Sequence, residues 1–181
     1  MYRAFSSRFV LSAIAVTAAL CAVSACAARS KSVTLQPLSA DMGQYQNVVI
    51  AVESRVPGDV TKEKSNLEGL TVSRVKSLNR YSSVQLKTGE VAPTPGTLVV
   101  NVGITHLKKV GGTKRFMLGA AAGRASMTTE ITLVDASTGK TVGSYTVTGE
   151  SGGSGLAGGT SDAVTKTAEA VAGLLGGGPA R

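Results

Sequence analysis

The chain has 181 residues, a formal charge of +8 and 43% hydrophobic residues, enough for one domain with a core and too short for two comfortable ones. Aromatics make up only 4%, Trp is absent and the basic residues are scattered, which argues against the dense basic stripe of a nucleic-acid binder. Cys21 and Cys26 are the only cysteines, so the chain beyond residue 26 can hold no disulfide and no cysteine metal site.

Residues 1–26 read as an export address. Arg3 and Arg8 are the positive start, and Phe9 to Val23 is an apolar run of 15 residues. A bilayer-spanning helix needs roughly twenty. Val23-Ser24-Ala25-Cys26 resembles a bacterial lipobox, in which small residues let the chain lie extended before the cysteine. The resemblance implies a signal peptide over 1–25, a diacylglycerol on the Cys26 thiol, cleavage before Cys26 and acylation of the new amine. Cys21 fits less well, because bulky Leu20 precedes it. An ordinary Ala-x-Ala cleavage site and an uncleaved anchor are the alternatives. Ala27, where enteric-type sorting would read Asp as an inner-membrane signal, leans toward an outer-membrane lipoprotein facing the periplasm. Losing Arg3 and Arg8 takes the charge from +8 to +6, an excess that favours anionic headgroups or polymers.

Residues 26–46 are polar and aperiodic, with Pro37 and Gly43, and read as a tether before a single α/β domain over 47–175. Asn47 to Glu53 is a β-branched run and predicts a well-buried strand. Val56-Pro57-Gly58-Asp59 ends it, and Thr61 to Asn79 predicts a helix with Leu67, Leu70, Val75 and Leu78 on one face. Gly69 weakens that helix. Tyr81 to Lys87 alternates like a short strand, and Gly89, Pro93, Pro95 and Gly96 mark the turn after it. Thr97 to Leu107 predicts a strand with Leu98, Val100, Val102 and Ile104 on one face.

Lys108 to Gly123 is irregular and joins that strand to the next, Arg124 to Val134. Asp135 to Gly139 is a hairpin turn, and Lys140 to Thr148 returns with a bulge expected at Gly143, where the apolar parity shifts. Glu150 to Gly159 predicts a Gly- and Ser-rich loop. Thr160 to Leu175 predicts an amphipathic helix with Val164, Thr167, Ala168, Val171, Leu174 and Leu175 in its stripe, capped by Thr160 or Ser161 and ended by Gly176. Residues 176–181 read as a loose tail. The order β-α-β-β-β-β-α implies a mostly antiparallel sheet with both helices on one face.

From Lys114 onward the chain is similar to the bacterial family catalogued as domain of unknown function 4410. The resemblance rests on Lys114-Arg115-Phe116-Met117-Leu118-Gly119, on Ala122-Gly123-Arg124-Ala125 and on Leu133-Val134-Asp135-Ala136-Ser137-Thr138-Gly139. It implies an exported lipoprotein of unassigned activity. The Ala residues between Gly119 and Gly123 stand where the family commonly has more Gly.

Acid–base or metal chemistry finds few candidates. His106 is the only histidine, and it ends a strand. Glu130 and Asp135 are close in sequence, but Asp135 is explained as a turn residue. Gly119 to Gly123 is a GxxxG spacing without the Gly-Lys-Ser/Thr of a phosphate loop. Lys108, Lys109, Lys114, Arg115 and Arg124 bracket it and form the densest basic cluster. Lys114, Arg115, Gly119, Gly123 and Arg124 are therefore the candidate partner-binding residues; a solvated hairpin tip is the plain alternative. The reading is a non-enzymatic binding or assembly module with no cofactor and no nucleic acid. Its partners are the membrane, through the lipid, and an envelope protein or acidic polymer. A cell-wall hydrolase is the alternative.

The Cys26→Ser chain is expected to lose both acylation and membrane retention, while Cys21→Ser keeps both. Incorporation of labelled fatty acid into the Cys26→Ser chain would overturn the assignment.

Overall fold

A computed structural model describes residues 27–110, 123–152 and 159–177. It comprises strands β1 (Arg29–Gln36), β2 (Asn47–Ser54), β3 (Ser83–Leu86), β4 (Thr97–Lys108), β5 (Ser126–Asp135) and β6 (Thr141–Glu150), with helices α1 (Thr61–Lys76) and α2 (Thr160–Leu175). The strands form one sheet in the order β1-β6-β5-β4-β2-β3. β1, β6, β5 and β4 pair antiparallel, whereas β2 runs parallel to both β4 and β3. Both helices share one face of this mixed sheet and pack against each other.

Residues 27–46 require a correction, because they do not form a tether. Arg29–Gln36 adds a sixth strand antiparallel to β6, from Arg29↔Glu150 to Gln36↔Ser144. The chain then docks through the Ser39 amide on the Val142 carbonyl at 2.8 Å, and Met42 and Tyr45 are buried. Polar Arg-Ser-Lys-Ser carries no hydrophobic period, but an edge strand is held by backbone hydrogen bonds that any sequence supplies.

The central strands follow the expected pattern. Val48, Ile50 and Val52 of β2 and Leu98, Val100, Val102 and Ile104 of β4 are buried beneath the helices. Val49 and Val99, on the opposite face, are buried too. The link from β3 to β4 must pass β2, and residues 87–96 do so across the face without helices. Val91 and Glu90 border the same cleft as Val99, Asn101 and Val134. A loop thus covers part of the face that α1 and α2 leave open.

α1 buries only Leu67, Thr71 and Val75, a stripe at four-residue spacing. The helix stops at Lys76, Asn79 takes φ 49°, and Leu78 is exposed rather than on the packed face. α2 matches its predicted span. Gly159, not Thr160 or Ser161, occupies its N-cap, and no side chain caps it. The bulge near Gly143 is present: Leu133 pairs Gly143 and Val134 pairs Thr141, which leaves Val142 as the extra residue.

α2 lies unusually close to β6. A methyl group at Gly149 would land on the Ala163 carbonyl oxygen, with Thr167 Oγ1 at 2.5 Å and Thr167 N at 2.8 Å. Gly149 is therefore the point where helix backbone rests on strand backbone. At the other end of the hairpin, Asp135 Oδ1 accepts from the Ser137 and Thr138 amides, both at 2.9 Å, and from the Ser137 hydroxyl at 2.6 Å. Its second oxygen accepts from the Tyr45 hydroxyl at 3.1 Å, tying the segment after β1 to the β5–β6 turn. These bonds, led by those from Ser137 and Thr138, lower the Asp135 pKa from 3.8 to about 2. Burial and the same carboxylate raise that of Tyr45.

Gly149→Ala is expected to destabilise the domain by about 2 kcal/mol or more, since neither backbone can yield cheaply. Gly69→Ala, in a helix interior with open space around it, should stabilise by roughly 0.5–1 kcal/mol. Urea unfolding of both variants checks the pair; equal midpoints would mean that α2 does not press on β6. Because the folded pKa of Asp135 is depressed, its contribution is full above the ordinary carboxylate range and is lost as pH falls from about 4 towards 2. The stability of the Asp135→Asn chain should therefore depend less on pH in that window than that of the unaltered chain, as read from melting temperature against pH.

Candidate functional site

One end of the sheet holds the described part of the basic cluster that the sequence singled out: Lys108, Lys109, Gly123 and Arg124. Here β1 begins, β4 and β6 finish, and β5 starts, as Lys108↔Ser126, Ser126↔Glu150 and Arg29↔Glu150 show. β2 also ends on this side, so α1 begins here, and α2 begins here after β6. We call it the proximal end, because Ala27 and Ala28 alone separate Cys26 from β1.

A small network closes the proximal end. The Ser151 amide donates to the Ala125 carbonyl at 2.9 Å, and the Ala125 amide donates to Ser151 Oγ at 3.0 Å. Both residues are fully buried. Arg29 Nε pairs with the Glu150 carboxylate at 2.7 Å. Lys109 Nζ reaches the Glu63 carboxylate at 2.8 Å and the Asp59 carbonyl at 2.9 Å, joining the end of β4 to the start of α1. Bonds from the Thr61 amide and hydroxyl, helped by the Lys109 charge, lower the Asp59 pKa. Between the two helix starts lies a cleft of about 380 Å³ lined in part by Lys62, Lys109, Thr160 and Ser161.

Two of the predicted binding residues are in this cluster. Gly123 has φ +77°, a left-handed conformation that favours glycine, and a side chain there would touch Lys108 Nζ at 3.5 Å. Arg124 Nη1 makes a long contact of 3.5 Å with the Ala27 carbonyl, beside the start of the described chain. Cys26, Lys114, Arg115 and Gly119 lie outside the described residues. Sequence alone does not reveal the structural bonds of Ser151 to Ala125. The missing signal is tertiary, as its partner stands 26 residues away.

The other ionisable residues considered from sequence stay apart from this cluster or serve structure. His106 is exposed and pairs across the strands with Thr128. Glu130 binds Arg55 Nη1 at 2.7 Å, and the Arg55 side chain lies over Gly103, within 3.1 Å of where a Cβ would stand. Asp135 belongs to its turn. Among the described residues no group of three His, Cys, Asp or Glu side chains could hold a metal ion. Also among these residues, no helix is long and apolar enough to cross a membrane.

The family model for Domain of unknown function (DUF4410) matches residues 59–158. No curated protein matches the chain. Among solved structures, the PelC dodecamer from Paraburkholderia phytofirmans is similar at 14% identity, with a TM-score of 0.55 over 81% of this chain and 96% of that one. A PelC dodecamer carrying a single substitution, from the same organism, gives a TM-score of 0.54 at the same identity and coverage. At this identity the likeness is one of fold.

Proposed function

The chain belongs to the DUF4410 family, and we propose that it is a lipid-anchored envelope lipoprotein, facing the periplasm, that works as a non-enzymatic assembly module. The observation that carries this reading is the row of exposed apolar side chains on and just beyond β1, the strand at the end of the sheet order. Among the described residues no further strand lies beyond it in the sheet. Val33 and Leu35 are 48% and 61% exposed, and Leu38 just beyond the strand is 37% exposed. Natural edges are usually blunted by charge, proline or a covering loop. This one carries Arg29 and Lys31 at its start and exposes Val33 and Leu35 in its later half.

The occupant favoured here is a second copy of the chain. PelC, which shares the fold, is a dodecamer. A strand at the end of a sheet with adjacent apolar side chains is a surface that β-augmentation uses, with backbone bonds for affinity and side-chain pockets for choice of partner. The lipid would hold copies in one plane and so raise their local concentration. Outer-membrane placement rests on Ala27 following Cys26.

The acylated chain in detergent is expected to sediment as a discrete multimer. Val33→Lys combined with Leu35→Lys should reduce it to a monomer with an unchanged circular dichroism spectrum, because both side chains are already largely exposed. A monomer in the unaltered chain, or a multimer indifferent to these substitutions, would overturn assembly through β1.

A further inference from the structure

We infer that the proximal end of the domain is a docking surface for an anionic lipid bilayer, so that the protein stands on the membrane in one fixed orientation instead of swinging on its lipid. The inference rests on acylation of Cys26 and deepens that reading. Its first support is distance. Only Ala27 and Ala28 separate Cys26 from β1, and three extended residue steps span roughly 10 Å. That is close to the screening length of about 8 Å at physiological ionic strength. Charges at the start of β1 would therefore feel the headgroups.

The second support is the sign of what faces that way. Lys31 and Lys108 are exposed, and neither side chain forms an ion pair among the described residues. Arg124 reaches back to Ala27, the residue next to Cys26. Lys62 and Lys109 stand at the helix starts. Of the nearby acids, Glu150 is paired with Arg29 and Glu63 with Lys109, while Asp59, held by the Thr61 amide, keeps its negative charge. Asp162 remains in the first turn of α2. Both 16-residue helices also start at this end, so the positive ends of their dipoles face the same way. The far end holds basic residues too, but Arg80 donates to the Gly176 carbonyl and Arg74 binds Glu169. Charge alone would not choose between the ends; the attachment point does.

An anionic leaflet fits this surface better than a protein partner. Its charge is diffuse and needs no matched pocket, and the lysines are spread over β1, β4 and α1 rather than converging on one point. The lipid anchor would hold them there whether or not they bind.

The test uses the acylated full-length protein on vesicles carrying a spin-labelled headgroup quencher. A fluorophore is placed through Ser161→Cys at the start of α2 or Ser77→Cys beyond the end of α1, both exposed positions. With Cys21 removed and Cys26 acylated, the added thiol is the only free one. On phosphatidylcholine with phosphatidylglycerol, the label at 161 should be quenched several-fold more than that at 77, and the difference should shrink as salt is raised. Lys31→Glu with Lys108→Glu should abolish the difference while flotation with the vesicles and the melting temperature stay unchanged. Equal quenching at both positions, or a difference indifferent to phosphatidylglycerol and salt, would overturn docking while leaving acylation intact. Failure to float with neutral vesicles would instead refute the lipid anchor, and docking with it.

Discussion

The contact of α2 with β6 at Gly149 is the constraint from which the remaining architecture follows. Where a side chain would have stood, the carbonyl of Ala163 and the backbone of Thr167 press on the strand. That approach seats the helix low enough for Val164, Ala168, Val171 and Leu175 to be almost wholly excluded from water. Small Ala163 and Ala168 on the same face allow it. α1 then completes the layer: it packs on α2 as well as on β2 and β3, and Arg74 reaches across to Glu169. Tyr81 seals the far end by donating its hydroxyl to the Leu175 carbonyl at 2.6 Å.

The same strand serves the opposite side of the molecule. β6 lies between β5 and β1, so the seat of α2 also sets where β1 can pair. One residue beyond Gly149, Glu150 holds Arg29, and the next residue, Ser151, bonds Ala125. Three successive positions thus link helix, edge strand and the start of β5. The basic residues of the proximal end inherit their placement from that junction. None of them contributes to the core.

Legibility in the sequence followed burial. β2 and β4 have apolar faces that period two reveals, and α2 has a stripe at helical spacing, so these elements were readable residue by residue. β1 was not. Its pairing with β6 depends on backbone groups, and Ser30 and Ser32 face Gly149 and Val147 without any hydrophobic signal. The parallel pairing of β2 was hidden for another reason. β3 is four residues long, and nothing in Ser83–Leu86 tells which neighbour it joins. Leu78 misled because the helical period continues past the point where Asn79 turns left-handed. At the candidate site, Gly123 and Arg124 were recognisable from composition, but the bond between Ser151 and Ala125 is a product of the folded chain.

The short run from Cys26 to β1 also bears on symmetry. Under the proposed acylation the strands would stand with their proximal ends at the bilayer, so every copy in an assembly would point the same way. Dihedral arrangements are then excluded, because their perpendicular two-folds would turn half the lipids away from the membrane. An antiparallel pairing of β1 with the β1 of a second copy fails for the same reason. If copies assemble through β1 as proposed, its edge meets a different surface, and the far edge of the sheet offers one. β3 runs opposite to β1, so copies placed side by side would pair these two edges antiparallel. Such a heterologous contact repeats around an axis normal to the bilayer and closes into a ring wherever the rotation between neighbours divides the circle.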